Sequence, residues 1–599
     1  MAEKFVSLVE MQEKSCARFA DNRLFGTKKN GAYEWITYRE FAGRVDAFRA
    51  ALSSLGVQRG DKVACIANNS VEWAVGAYAT YGLGAHYVPM YEAQLKKEWE
   101  FIIKDSGSVV ALVATQEIYN QVVDFVGTVG NLKSVVCFYT SPDKEYAYEN
   151  LLAVGRKSPV PSVHPPAEEV AGLIYTSGTT GNPKGVILSH GNFCSNINAV
   201  QEIFPISDTD TSCSFLPWAH SFGQTVELHV LLAMGSGIGI AENVNTLLDN
   251  FGEVRPTILF AVPRIFNRIY DGLQKRMAAE SPVKKFMFHK GLAVAKKKRE
   301  LADKGQQSGF VNWQYNLFDK LVFSKVKARF GGNLRYAFSG GAALSKEVGT
   351  FIDDIGILVF EGYGLTETSP IATANTPSGR RLGTIGKPIP QVSIYICDEE
   401  QRILPPDTDG EIVVVGPNVM QGYHNNQAAT DEVIFTLDGK RAFRTGDMGR
   451  VTRDGFIQIT GRFKEQYKLE NGKYVVPTVL EDDLKLSGYI TSAFVHGDNK
   501  LYNIALIVPD FESVAAWAKE HGVSDTSPAA LCKNAQVHAK IGEEIAHYSR
   551  EWKGFERVQK WALLEEDFSA ANDMLTPKMS VKRRNVVKVY GELIESLYK

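Results

Sequence analysis

Cysteine is scarce and unpatterned in this chain of 599 residues: seven occur (Cys16, Cys65, Cys137, Cys194, Cys213, Cys397, Cys532), none in Cys-x-x-Cys spacing. That scatter argues against a zinc ribbon or a disulfide framework and fits a reducing compartment. Charge of either sign is not in excess. The formal net charge is −2, which leaves no electrostatic footprint for nucleic acid. Internal repeats and low-complexity tracts are absent, and the segment 1–13 carries acids and lacks a continuous apolar core, so no signal peptide is expected. Long hydrophobic runs are missing as well. The best candidate, residues 73–91, holds no Asp, Glu, Lys or Arg but is rich in Gly, Ala and Tyr and includes His86. It reads as a buried helix running into a strand rather than a membrane span. These absences together predict a cytoplasmic protein.

What is present is an ordinary globular composition, 44% hydrophobic and 22% charged, in a chain long enough for two or more domains. In the first two thirds short β-rich runs alternate with helical stretches: Val63–Ala67, Val109–Val113, Ser134–Phe138 and Thr257–Val262, the last closed by Pro263. This alternation predicts an α/β fold with helices on the faces of βαβ-type sheets. Residues 264–333 turn helical and charged, and 382–463 are dominated by short strands broken by Gly, Pro and Asp, a pattern for a small barrel or twisted sheet. A short polar segment after Arg462 precedes a fresh α/β run. The expected organisation is a large domain over 1–463, with 382–463 as its β-rich part, and a smaller α+β domain over 464–599.

The most informative stretch is 175–185, Tyr-Thr-Ser-Gly-Thr-Thr-Gly-Asn-Pro-Lys-Gly. Glycines at 178, 181 and 185 let the backbone bring N–H groups close to a ligand. Thr176, Ser177, Thr179 and Thr180 add hydroxyls, and Lys184 adds a positive charge. Such a loop suits a polyphosphate. It is not a Walker A loop, in which the lysine directly follows the second glycine. A second segment, Phe360-Glu-Gly-Tyr-Gly-Leu-Thr-Glu-Thr368, follows a strand-like run. There Glu367 is a hard oxygen ligand suited to Mg2+, Thr366 can bind a phosphate oxygen, and Tyr363 offers a flat face for a purine. Ser339-Gly-Gly-Ala-Ala-Leu344 is weaker alone, being common at turns. Arg444-Thr-Gly-Asp447 supplies a carboxylate suited to ribose hydroxyls, and Arg462 supplies a planar fork for ribose or phosphate.

These segments, in this order, resemble the adenylate-forming (AMP-binding) superfamily, and the length and spacing are most similar to the long-chain fatty acyl-CoA synthetases. The resemblance spans nearly the whole chain. It implies ATP and coenzyme A as co-substrates and Mg2+ as cofactor. It places ATP or AMP on Thr176, Ser177, Gly178, Thr179, Thr180, Gly181, Lys184, Gly340, Gly341, Ala342, Glu361, Gly362, Tyr363, Gly364, Thr366, Asp447 and Arg462. Metal binding falls to Glu367 with Thr176, and catalysis to these two with Lys184 and a C-terminal lysine. In the segment Leu575-Thr-Pro-Lys-Met-Ser-Val-Lys582 that lysine aligns with Lys582, with Lys578 as the alternative; Val581 stands where commoner members have glycine. Leu216-Pro-Trp-Ala-His-Ser-Phe222 matches the segment lining the acyl site, so His220 and Phe222, with Gly341 and Gly364, are the expected acyl pocket. A core histidine is the other reading of His220. Gly461-Arg-Phe-Lys464 resembles the hinge on which the small domain turns, with Lys464 as the hinge residue and Lys468 and Gly472 near the thiol step.

The implied reaction needs no general base, because a carboxylic acid is ionised at neutral pH. Two anions must meet, and Mg2+, Lys184 and Lys582 would offset their repulsion. The expected function is an AMP-forming ligase of a long-chain fatty acid and coenzyme A. The alternative is adenylation of a fatty, medium-chain or aryl acid with transfer to a carrier protein. Within the helical stretch, residues 284–299 interleave seven Lys and Arg with Phe286, Met287 and Phe288. A segment of this kind suits peripheral contact with an anionic membrane, and is also what a solvated helix face looks like.

Overall fold

The α/β alternation builds two sheets in a computed structural model of the chain, which describes residues 3–599 apart from 177–182, 244, 343, 463–465, 570 and 576–580, and apart from the side chains of 271, 275, 276, 278, 279, 303 and 462. Ser177, Gly178, Thr179, Thr180, Gly181, Lys464, Lys578 and the Arg462 side chain therefore lie outside the described residues.

The first sheet has seven strands in the order Gly422–Tyr423, Lys184–Ser189, Val170–Thr176, His86–Met90, Lys62–Ile66, Val110–Thr115, Ser134–Tyr139. The five from Val170–Thr176 onward are parallel, and Lys184–Ser189 folds back antiparallel on Val170–Thr176. Residues 73–91 fold as the sequence predicts. Ser70 accepts the Trp73 N–H at 3.0 Å and starts the helix Val71–Tyr81, which passes into the strand His86–Met90. Among the described residues no helix is long and apolar enough to cross a membrane.

The second sheet has nine strands: Lys387–Pro388, Ile371–Ala374, Leu358–Gly364, Tyr336–Ser339, Ile258–Ala261, Thr211–Ser214, Gly237–Ile240, Arg23–Lys29 and Ala32–Thr37. Its interior is parallel and its margins antiparallel. Between the strands Ile258–Ala261 and Tyr336–Ser339 the chain makes the helical excursion expected of 264–333, with helices Pro263–Ala279, Pro282–Asp303 and Gly309–Phe318. A continuous apolar core runs beneath the two sheets, with Phe25, Trp73 and Trp218 among its fully buried rings. Trp218 packs 5.6 Å from Trp73 and 5.9 Å from Phe25, so it belongs to the core. A small sheet in the order Ser393–Cys397, Gly410–Val415, Lys440–Val451, Ile434–Leu437 accounts for the β-rich pattern after 382.

The chain divides into two compact units, one of residues 1–408, 412–445 and 451–458, the other of 409–411, 446–450 and 459–599. In the second unit Asn503–Pro509 pairs antiparallel with Ile490–His496 and parallel with Val558–Leu563. Alternation along Asn503–Pro509 divides its side chains between two cores. Ala505 and Ile507 join Val537, Ile541 and Ile545 of the helix Ala535–Tyr548, whereas Ile504, Leu506 and Val508 join Val586 and Ile594 of the helix Arg583–Ser596.

Candidate active site

Four parallel strands of the nine-stranded sheet, Thr211–Ser214, Ile258–Ala261, Tyr336–Ser339 and Leu358–Gly364, end on the same edge. Ligands of open α/β sheets sit beyond such carboxyl ends. Ser339 lies beside Glu361 in register, and the Gly340 N–H donates to the Ala261 carbonyl at 3.2 Å. Gly341 has φ +83°, a left-handed conformation that glycine adopts without strain. A Cβ on Gly340 would stand 2.8 Å from the Phe222 ring, so the glycine makes room for that ring. The structure thus brings Phe222, Gly340 and the Gly341–Ala342 turn together.

The segment 360–364 continues the strand Leu358–Gly364 that leads into it. Gly362 pairs with Ala374 and Tyr363 with Thr373. Glu361 is buried, accepts the Gly383 N–H at 3.2 Å, and has its carboxyl pushed up to about 7 by burial, opposed by backbone donors and by Arg380. Tyr363 is half-buried, and Thr366 is buried and accepts a hydrogen bond from the Ser221 hydroxyl at 3.2 Å. That bond ties the expected acyl-site segment to the expected phosphate and metal segment. Next to Ser221, His220 accepts the Phe222 N–H on Nδ1 at 3.1 Å. In the neutral ring the proton is then on Nε2.

Thr176 ends its strand and Lys184 begins the return strand opposite it, with the Thr176 hydroxyl 3.5 Å from the Lys184 carbonyl. The Lys184 ammonium stands 5.0 Å from the centre of the Tyr423 ring, and the Tyr423 hydroxyl donates to Glu367 at 2.8 Å. Glu367 also accepts the Met420 N–H on its backbone carbonyl at 2.8 Å, and the His424 N–H donates to the Gly185 carbonyl at 2.7 Å. Lys184 and Glu367, 183 positions apart, are thus held against one tyrosine. Burial, reinforced by the Glu367 carboxylate, pushes the Tyr423 phenol well above its usual range, so it is a fixed donor.

Tyr423 is a site residue that sequence reasoning missed, and Glu227 is another. Glu227 is fully buried on a π-helical turn, Gly223–Val230, where it accepts from the Ser214 hydroxyl at 2.5 Å and the Leu216 N–H at 3.1 Å. Burial raises its carboxyl well above the usual range, opposed by those bonds. It braces the strand end that leads into His220. The signal was in the sequence: Val226-Glu-Leu-His-Val230 puts a carboxylate in an apolar run, where only a partnered one is stable.

In the second unit, Asp447 is buried and the neighbouring Gly446 N–H donates to Glu411 at 3.0 Å. Lys468 and Gly472 belong to one hairpin, whose strands Tyr467–Lys468 and Tyr474–Val475 pair and whose turn places Gly472 at φ +81°. Lys582 immediately precedes the helix Arg583–Ser596, and its ammonium is 2.5 Å from Asp573.

Comparison with known proteins accords with this geometry. Residues 12–424 match the AMP-binding enzyme family, and residues 464–599 match the AMP-binding enzyme C-terminal domain. The chain is 30% identical to a peroxisomal long chain acyl-CoA synthetase 7 of Arabidopsis thaliana, across 97% of this chain and 84% of that protein. It is 32% identical to a long-chain-fatty-acid–CoA ligase, FadD15, of Mycobacterium bovis, across 95% and 93% of the two chains. The fold is similar to that of the anthranilate CoA ligase AuaEII, solved with anthranoyl-AMP, with a TM-score of 0.75 at 18% identity over 99% of this chain and 98% of that one.

Proposed function

Because the chain belongs to the AMP-binding enzyme family, we propose that it activates a long-chain fatty acid as an acyl-adenylate and transfers the acyl group to coenzyme A, releasing AMP and pyrophosphate. The observation that carries this reading is the junction of Lys184, Tyr423 and Glu367 at the foot of the phosphate-type loop. A cation and a carboxylate held beside one another suit a nucleotide whose phosphates bring their own metal. Mg2+ fits there. It is usually held by one or two carboxylates plus substrate phosphates, and among the described residues no group of three or more His, Cys, Asp or Glu could cage a metal unaided. Glu367, with Thr176, would hold it, and it would supply positive charge against the phosphates.

The chain's own residues do the rest. Lys184 offsets the charge of the leaving phosphates. Ser177, Gly178, Thr179, Thr180 and Gly181 complete the phosphate loop. Gly340, Gly341 and Ala342 leave the backbone open to adenine, Tyr363 stacks on it, and Asp447 and Arg462 hold the ribose. Glu361, its carboxyl raised to about 7 by burial, braces the strand beneath them. The acyl chain enters past His220, Phe222, Gly341 and Gly364, with His220 beside its carboxylate. Lys582 bridges carboxylate and α-phosphate in the first step and leaves in the second, as the 464–599 domain turns about Lys464 and brings Lys468 and Gly472 to the thiol. Seven free cysteines, six of them buried, fit a cytoplasmic setting. Peripheral membrane contact would draw on Lys290, Lys296 and Lys297, which the segment 284–299 leaves exposed.

The test is AMP release from ATP by purified protein across saturated acids of increasing length, with and without coenzyme A. Strong release with long chains only when coenzyme A is present is expected. Pyrophosphate exchange indifferent to coenzyme A would move the acceptor to a carrier protein. A second expectation concerns Tyr423. Partners that orient a metal-binding carboxylate typically matter by about 10- to 100-fold in affinity. Tyr423→Phe should therefore raise the half-saturating Mg2+ concentration for ATP binding about tenfold, leaving thermal stability nearly unchanged. An unaltered Mg2+ titration would deny the tyrosine this positioning role.

A further inference from the structure

The helix Gly309–Phe318 continues through a π-helical turn, Asp319–Phe323, into Ser324–Lys327. Its inner stripe is buried: Val311, Phe318, Phe323 and Val326. The vacant Cβ position of Gly291 lies 3.4 Å from Phe318 and 3.1 Å from Phe323, so this stripe packs on the helix Pro282–Asp303. A helix that buries one stripe ordinarily turns polar residues outward. Here it does not. Phe310, Trp313, Leu317 and Leu321, spaced three, four and four apart, form a second apolar stripe, with Phe310 67% and Trp313 61% exposed. The rings of Phe310 and Trp313 stack on one another in solvent, centroids 6.1 Å apart and 22° between planes. Isolated exposed apolar side chains are ordinary, but a contiguous stripe marks a docking surface.

Charge identifies the occupant. Residues 304–330 carry five Lys and Arg against one acid, Asp319, and that acid is already paired with Lys327 at 2.6 Å. Of these cations, Lys304, Lys320, Lys325 and Arg329 are exposed on the segment that carries the stripe. The adjoining basic run is less available than its sequence implies. Lys298 lies 3.8 Å over the Tyr315 ring, Arg299 pairs with Asp354, Lys284 pairs with Glu280, and Phe288 is buried. A second copy docking here by a two-fold axis would set this cationic rim against itself. Aromatic side chains flanked by cations instead match the boundary of an anionic bilayer, where rings seat among acyl chains and ammonium groups meet headgroups.

We propose that the outer face of Gly309–Phe323 docks on anionic lipid, with Phe310, Trp313, Leu317 and Leu321 entering the interface and Lys304, Lys320, Lys325 and Arg329 against the headgroups. This docking rests on the surface alone, not on the substrate reading, and it is measured without substrate. Full-length protein is sedimented at low salt with phosphatidylcholine vesicles, with and without phosphatidylglycerol. Binding that requires phosphatidylglycerol is expected. It should fall at least about tenfold in Phe310→Ser/Trp313→Ser, where the buried aromatic area is lost, and about fivefold per charge in Lys320→Ser and Lys325→Ser. All substituted side chains are exposed, so thermal unfolding and AMP release with a soluble medium-chain acid serve as controls expected to hold. Absence of binding, binding that survives Phe310→Ser/Trp313→Ser, or equal binding to neutral vesicles would each overturn the proposal. So would a concentration-dependent dimer in light scattering that the double substitution disperses, which would assign the face to a second copy.

Discussion

Lys582→Ala should slow acyl-adenylate formation by about 10²- to 10³-fold, the usual cost of removing one preorganised donor from a developing charge. Thioester formation from supplied acyl-adenylate and coenzyme A should stay close to that of the unsubstituted protein. The neighbourhood of Lys582 makes the substitution clean. Its ammonium is paired with Asp573 at 2.5 Å, but the two side chains are 29% and 53% exposed. A pair so open to water contributes about 0–1 kcal/mol, so the lysine can leave it for a phosphate at small cost, and alanine there costs the fold little. The next residue is of a different kind. Arg583 forks onto Glu481, itself 3% exposed, donates to the Val495 carbonyl and lies 4.6 Å over the Phe494 ring. Breaking such a buried pair costs about 3–5 kcal/mol because it strands a charge. Two adjacent cations thus divide into one that fixes the second unit and one that can exchange partners. Measuring pyrophosphate release and thiol transfer separately for Lys582→Ala and Lys578→Ala decides the assignment. Equal loss in both half-reactions for Lys582→Ala would place the adenylation lysine elsewhere, and loss confined to Lys578→Ala would move it there.

Much of the fold was legible because its strands are short β-branched runs buried on both faces, a pattern that local sequence carries. Val63–Ala67 and Ser134–Phe138 each lie within one residue of the strands Lys62–Ile66 and Ser134–Tyr139. The glycine-rich segments were legible for a related reason, since each follows such a strand. What local sequence does not carry is which strand lies beside which. The order of the two large sheets, with parallel interiors and antiparallel margins, is set by pairings between segments distant in sequence, such as Phe25 with Ile238 and Ile187 with Gly422. Tyr423 was illegible for the same reason. A tyrosine in Gly-Tyr-His-Asn carries no mark until Glu367 and Lys184 are brought against it. The strand Leu358–Gly364 ran further than expected because its last residues take their hydrogen bonds from Ile371–Ala374, a hairpin that a run of two glycines and a tyrosine conceals.

That hairpin is where the largest structural effect is expected. Gly364 belongs to the proposed nucleotide and acyl sites, and the side on which a Cβ would stand is filled by protein backbone. A Cβ there would stand 1.7 Å from the Pro370 carbonyl oxygen, 2.7 Å from its carbon and 3.2 Å from the Ala372 nitrogen. These are backbone atoms that cannot rotate away as a side chain can. Gly364→Ala should therefore force the hairpin apart, at a cost of about 3 kcal/mol or more. The damage should spread to Thr366 and Glu367, which the same turn positions. The expected result is a thermal midpoint several degrees lower, faster hydrogen exchange over 358–374, and loss of AMP release with acids of every chain length. Gly362→Ala provides the near comparison: its Cβ would lie 3.2 Å from the Thr373 oxygen and 4.0 Å from the next atoms, a contact that a few tenths of an ångström relieve. Gly252→Ala provides the distant one, because the site within the helix Leu247–Val254 has open space around it. There alanine should stabilise by about 0.5–1 kcal/mol. If Gly364→Ala instead kept its thermal midpoint and shifted activity toward shorter acids, the glycine would be shaping the acyl pocket, and the hairpin would have more slack than its backbone contacts imply.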